Sequence, residues 1–324
     1  MKNIFTSTCF LLTVFILCFS CNNGNSKGKK SSADSVGGGG SVDSMQTLYL
    51  WGSPAFGSYL ATHTYVTNYN TVSVCPPNGI FYGSDFWYCW GGCHTWKTPS
   101  NPTYDSWAIT SHSGNAALAE RINQANVEGF WPSSVACHAG ITGFYGYRGV
   151  CHQVANRTLY ATYWSQNSTA PPITLPDTVA GYRYSHWAYG TYGRNLASQF
   201  KQQIVTVGGD SSYVGNDDDT LESNWLRAAM KEKYTLAALA ASRKGQKELH
   251  ALMDDLGNQV NSGKMTVTEY ATAVNKKINE IFQTEIIPVI GPDVYKKMYG
   301  AAAKQPISII EMGLAKQADA ERKK

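Results

Sequence analysis

The chain has 324 residues, of which 43% are hydrophobic, 12% aromatic and only 15% charged, with a net charge of +4. That is enough apolar sequence to bury a sizeable core in one or two domains, and it excludes disorder along the whole length. The net charge is too small to imply a nucleic-acid partner.

The averages conceal a split. Residues 22–213 carry 10 Lys/Arg and 8 Asp/Glu, whereas residues 214–324 carry 16 and 15. The first stretch also holds 16 of the 20 tyrosines. Charge-poor, aromatic and glycine-rich sequence predicts strands and loops; the charged remainder predicts helices.

Residues 1–20 begin with a basic Lys2 and continue into an apolar run from Phe10 to Phe19, the layout of a secretory signal peptide and too short to span a bilayer comfortably. The run ends Leu17-Cys18-Phe19-Ser20-Cys21, which resembles a bacterial lipoprotein signal. The resemblance implies a lipid on Cys21 and attachment to a membrane of the bacterial cell envelope, facing the periplasm or the outside. The other reading is plain secretion. Residues 21–44 are mostly Asn, Gly, Ser, Lys and Asp, a flexible tether.

From Leu48 onward β-branched and aromatic residues alternate with polar ones. Short strands are predicted at Ala61–Thr67, Gly79–Phe86, His94–Lys97 and Ser106–Thr110, and a helix at Asn115–Gln124 with Ser113 as a cap. Gly129–Gly149 reads as a structured loop and Cys151–Trp164 as a helix. Pro171, Pro172 and Pro176 then break the chain, and Gly181–Gly193 reads as a strand or extended loop. Gly208–Asp219 marks a boundary, after which Leu221–Arg243, Gly245–Ser262 and Thr266–Gln283 are predicted helices, with Gly257 and Gly263 as breaks and Thr266 and Glu269 at capping-box spacing. This helical part offers no catalytic constellation, and Asp254-Asp255 lack the spacing of a calcium loop.

Chemistry concentrates at Gly149-Val150-Cys151-His152-Gln153-Val154-Ala155-Asn156-Arg157. A cysteine on the first turn of a helix has its thiolate favoured by the positive end of the helix dipole. The first-turn N–H groups can also hold the oxyanion formed when a thiolate attacks an amide. Of the five cysteines beyond the leader, Cys75, Cys89, Cys93, Cys137 and Cys151, an oxidising compartment pairs four and leaves one over. Cys151 is either that reactive thiol or a buried or disulfide-bonded one. Cys89, Cys93 and His94, with Cys75 or Cys137-His138, are chemically suited to zinc, but their irregular spacing favours disulfides, and no metal or cofactor is expected. Phe86-Trp87-Tyr88-Cys89-Trp90 reads as core or as a glycan-binding surface.

Over these ten or so residues the chain resembles papain-like cysteine peptidases of the NlpC/P60 and CHAP kind, with His152 a departure at the position after the cysteine. The resemblance implies an α+β, papain-like domain (45–213) with a small antiparallel sheet and a cysteine-bearing helix, followed by a mostly helical C-terminal region (214–324). It implies a thiol-dependent amide hydrolase or acyltransferase acting on peptide, peptidoglycan peptide being the natural substrate. In the usual order the histidine follows the cysteine, which points to His186. In circularly permuted members similar to lecithin:retinol acyltransferase it precedes, which points to His63 in Thr62-His63-Thr64-Tyr65, with His94 or Asn156 as polar support. The rival expectation is a non-enzymatic surface lipoprotein whose aromatic, disulfide-braced domain binds glycan or protein.

Overall fold

The computed structural model describes residues 45–55, 58–67, 81–82, 107–115, 146–164, 173–195, 197–206, 211–212, 214 and 218–322. The architecture is α+β. Four antiparallel strands, β1 (Met45–Ala55), β2 (Ser58–Thr67), β3 (Phe81–Tyr82) and β4 (Trp107–Asn115), lie in the order β3-β2-β1-β4. In register, Leu50 faces Val66 on one side and Thr110 on the other, and Gly52 faces Thr64. Side chains alternate along a strand, so Leu48, Leu50, Thr62, Thr64 and Val66 share one buried face.

That face is covered by α1 (Cys151–Trp164), which packs on β2 and β4. Ala155 and Leu159 meet Leu48, Leu50 and Val66, and Leu175, Val179 and Tyr182 close the cluster. Every residue of α1 from Cys151 to Tyr160 is buried, because each side of the helix has its own neighbour. Cys151 and Val154 join the main helical core, and Tyr160 packs with Tyr192, Phe200, Ile204 and Val214.

Gly181–Gly193, read from sequence as strand or extended loop, instead contains α2 (Tyr182–Tyr189). Gly181 (φ 80°) and Gly190 (φ 72°) bracket it in conformations that favour glycine. All its residues but Arg183 are buried, so no polar face announces the helix, and Tyr-Arg-Tyr-Ser imitates the period of a strand. After α3 (Ala197–Thr206) comes α4 (Asp218–Met230), and then a single 3₁₀ turn at Lys231–Lys233. The predicted helix Leu221–Arg243 is therefore broken there, and α5 runs unbroken from Leu236 to Asn261 through both Gly245 and Gly257. Those glycines are contact points. A Cβ on Gly245 would stand 2.4 Å from Ile281 Cγ2, and one on Gly257 would stand 2.7 Å from the Tyr147 ring.

Helix α6 (Val267–Ile281) opens with the predicted capping box, Thr266 and Glu269 each bonding the other's backbone N–H. Asp319, from the last helix of the chain, accepts the N–H groups of Val267 and Thr268 as well. A π-helical turn (Phe282–Ile286) leads to α7 (Ile287–Ile290), whose Pro288 cannot donate to the preceding turn. Then follow α8 (Pro292–Tyr299) and α9 (Met312–Arg322). Residues of the 45–213 and 214–324 segments share one core, in which Val150, Cys151, Tyr184 and Trp187 pack with Leu249, Tyr270, Ile281 and Phe282.

Strand β2 contains the predicted Ala61–Thr67, β3 lies within Gly79–Phe86, and β4 extends Ser106–Thr110 to Asn115. Ser113, read as a helix cap, is a strand residue opposite Thr47. The rest of the predicted helix (116–124), the strand His94–Lys97, the loop residues 129–145, the leader with Cys21, the tether and Cys75, Cys89, Cys93 and Cys137 lie outside the described residues. Among the described residues no helix is long and apolar enough to cross a membrane.

Candidate active site

A tight turn sets up the start of α1. Gly146 N–H bonds the Gly149 carbonyl (2.9 Å), and Gly149, at φ +152°, leaves no room for a Cβ, which would stand 2.9 Å from Gln153 Cβ. Val150 then acts as N-cap without a side-chain acceptor of its own. Gln153 compensates by reaching back, its Oε1 accepting the Val150 N–H at 3.0 Å. The turn is held from outside by two tyrosines, since Tyr189 and Tyr270 hydroxyls both donate to the Gly146 carbonyl, at 2.7 and 3.3 Å. Tyr147 hydroxyl donates to Asp254 (3.0 Å), and Asp254 in turn pairs with Arg194.

Cys151 is a free thiol, 7% exposed, in the first helical position. Its Sγ lies 4.0 Å from the carbonyl oxygen of Thr62 on β2. The same carbonyl accepts a bond from His152 Nε2 at 2.7 Å, and the Thr62 N–H donates to Ala180 at 2.9 Å. Both backbone groups of Thr62 point away from β1, so the start of α1 and the stretch before α2 together occupy the outer edge of β2 at this residue.

His63 follows Thr62 directly, so the carbonyl touched by the thiol belongs to the peptide that joins the two. His63 is half-buried and sits on the face of β2 opposite Thr62 and Thr64. It is close enough to His152 that a charge on one ring opposes protonation of the other.

His152 is fully enclosed, and burial pushes its pKa down from 6.5 to about 4 despite the bond to Thr62. The ring is thus neutral at pH 7. A carbonyl can only accept, which puts the proton on Nε2 and makes Nδ1 an acceptor for the Ser185 hydroxyl, 2.7 Å away. Ser185 also lies 3.0 Å from the Tyr182 carbonyl, but its one hydrogen serves the shorter contact. Gln153 Nε2 approaches the Ser185 oxygen at 3.4 Å and donates to the Gly190 carbonyl at 3.0 Å.

The remaining candidates sit elsewhere. Asn156 lies roughly 140° around α1 from Cys151. Its Nδ2 donates to the Tyr182 hydroxyl and the Thr191 carbonyl, both at 2.9 Å, and its Oδ1 accepts the Leu175 N–H at 2.7 Å. These bonds tie α1 to α2 and to the flanking loops. His186 is buried on α2, with Nε2 3.2 Å from Thr191 Oγ1 and its ring edge-on to Tyr182 and Trp225. His94 and the lipidation candidate Cys21 are outside the described residues.

No three or more of His, Cys, Asp and Glu gather to hold a metal ion among the described residues. The Asp177–Gly181 stretch, which binds the β2 edge through Ala180, also lines a cavity of about 380 Å³ with Arg183 and residues Lys297–Gly300. The residues that sequence reasoning missed here are His152, Thr62, Gln153 and Ser185. The signal for His152 was present, as it immediately follows the cysteine.

The neutral His152 makes stability depend on pH. Between pH 6.5 and about 4 the unfolded chain takes up a proton on this imidazole and the folded chain does not. Stability from this group is therefore complete above pH 6.5 and is lost as pH falls toward 4, by about 3 kcal/mol over the full window. His250 and His112, also held low by burial, act in the same sense. Urea midpoints measured from pH 7.5 down to pH 5 should fall, and the His152→Gln variant should show a shallower decline.

Neither a family model, nor a curated protein, nor a solved structure matches the chain.

Proposed function

We propose that the protein is a thiol-dependent amide hydrolase or acyltransferase of papain-like type, with Cys151 as nucleophile and His63 as general base. The observation that carries the reading is the docking of an unpaired helix-start thiol against the Thr62–His63 peptide, the order expected of a permuted member. In the reaction Sγ attacks the amide carbonyl carbon, its proton passing to His63 once that ring, which starts on the other face of β2, has turned around the strand edge toward the thiol. The oxyanion is held by first-turn N–H groups of α1. Collapse breaks the C–N bond, His63 returns the proton to the leaving amine, and water or another acceptor nucleophile releases the acyl group from the thioester. The cavity lined by Ala180 lies along the stretch that bonds Thr62 and has a volume within the range of small-molecule sites, and neither Cys151 nor His63 lines it. Peptidoglycan peptide is the proposed substrate, and the N-terminal sequence supports tethering to the cell envelope through a lipid on Cys21.

The two candidate bases are separated by comparing variants on a peptidoglycan-derived peptide. His63→Ala should lower kcat by about 10²–10⁴-fold, the usual worth of a general base, whereas His186→Phe, normalised to folded protein, should stay within about twofold. The reverse pattern would transfer the role to His186.

A second reading, a non-enzymatic binding module, is favoured by the 7% exposure of Cys151. It predicts that native Cys151 resists alkylation throughout.

A further inference from the structure

His152 is a buried titratable group for which the reaction above has no use, yet both of its ring nitrogens are hydrogen-bonded beside the thiol. Its two ring nitrogens each make a 2.7 Å contact, one to Ser185 on α2 and one to Thr62 on β2, and the ring lies edge-on to Tyr182 at 5.7 Å. It therefore joins three elements, α1, α2 and β2, at the point where the thiol meets the strand.

We infer that His152 is a positioning residue, whose Nε2–H bond to the Thr62 carbonyl fixes the Thr62–His63 peptide against Cys151 and offsets that carbonyl's negative end beside the thiolate. This rests on the reading of Cys151 as nucleophile. The physical argument concerns one oxygen with two lone pairs. While Cys151 is protonated, its S–H and the imidazole N–H both point at the Thr62 carbonyl. Once the thiol loses its proton, the sulfur anion faces the oxygen of a carbonyl dipole 4.0 Å away, an unfavourable arrangement in a site that excludes water. The imidazole N–H, 2.7 Å from the same oxygen, sets its partial positive charge beside that oxygen and offsets part of the repulsion. A neutral imidazole does this without placing a charge in a fully enclosed position. The Ser185 hydroxyl, supported by Gln153, keeps the ring in the tautomer that has its proton on Nε2.

The test uses the full-length protein and iodoacetamide, with mass spectrometry of the peptide carrying Cys151. His152→Gln keeps an N–H donor at a similar reach, and His152→Leu removes it. The Leu variant should be alkylated about tenfold more slowly than wild type at pH 7 but within about twofold at pH 10, where ionisation no longer limits the rate, and the Gln variant should match wild type at both. Equal slowing of the Leu variant at both pH values, the mark of a purely structural change, overturns the inference, as does an unchanged rate. If circular dichroism shows the Leu variant unfolded, Ser185→Ala decides. It should slow alkylation severalfold at pH 7 alone, and an unaltered rate overturns the inference. The rates do not depend on turnover. An intact pH signature in a protein that hydrolyses no amide therefore strikes only the hydrolase reading, while a wild-type Cys151 inert at every pH overturns both.

Discussion

Cys151→Ala should abolish amide hydrolysis, by about 10³-fold or more, while leaving a folded protein. The substitution deletes one sulfur atom whose polar contact, 4.0 Å to a backbone carbonyl, is long and weak. Alanine suits the first turn of a helix, and the bond from Val150 N–H to Gln153 that starts α1 does not involve residue 151. Loss of packing around the sulfur should cost about 1–2 kcal/mol, small enough to show only as a modest shift in urea midpoint. Removal of a covalent nucleophile leaves binding and oxyanion stabilisation alone to act. Rates measured on a peptidoglycan-derived peptide with matched folded protein decide the matter, and wild-type turnover by the Ala variant would remove the thiol from the mechanism.

Asn156→Leu should behave in the opposite way, losing stability first. The side chains are similar in volume, so the change isolates the polar contacts. It leaves the Leu175 N–H and the Thr191 carbonyl buried without the amide that now serves both, and removes a partner from the Tyr182 hydroxyl. Each orphaned buried group costs about 1–3 kcal/mol, so the variant should lose about 3–5 kcal/mol in equilibrium urea unfolding. Were Asn156 instead to orient the base, the same variant would keep its urea midpoint and lose kcat.

The contrast between these residues shows what sequence can carry. The helix Cys151–Trp164 is legible because it is long and its cysteine stands at a glycine-marked start, and the Thr266 and Glu269 capping box is legible because both partners lie within one turn. The β1 strand, to which the sequence reading assigns no boundaries, hides its period among Gly52, Ser53 and Pro54. Helix α2 is hidden for a different reason. A helix surrounded by protein has no polar stripe, and its aromatic composition favours a strand by local preference. Gly245 looks like a helix start and Gly257 like a break in the sequence because what packs on them, Ile281, Trp187 and Tyr147, comes from distant parts of the chain. At the site, the Cys151 signal is local. The role of His152 depends on Thr62, 90 residues earlier, and Ser185, 33 later, and nothing in the order of residues reveals either partner.

The double tyrosine grip on Gly146 sets a schedule for the molecule. Tyr270 lies 124 residues beyond the carbonyl it binds, and Asp254 lies 107 beyond Tyr147. A chain made from its N-terminus therefore has the four described strands and the cysteine helix in hand well before Tyr270 and Asp254, two of the groups that shape the thiol's turn, exist. Completion of the turn before Cys151 is in this sense a late event of biogenesis. A fragment ending near residue 213 would carry the proposed reaction residues and Tyr189, and lack the Tyr270 and Asp254 half of the clamp.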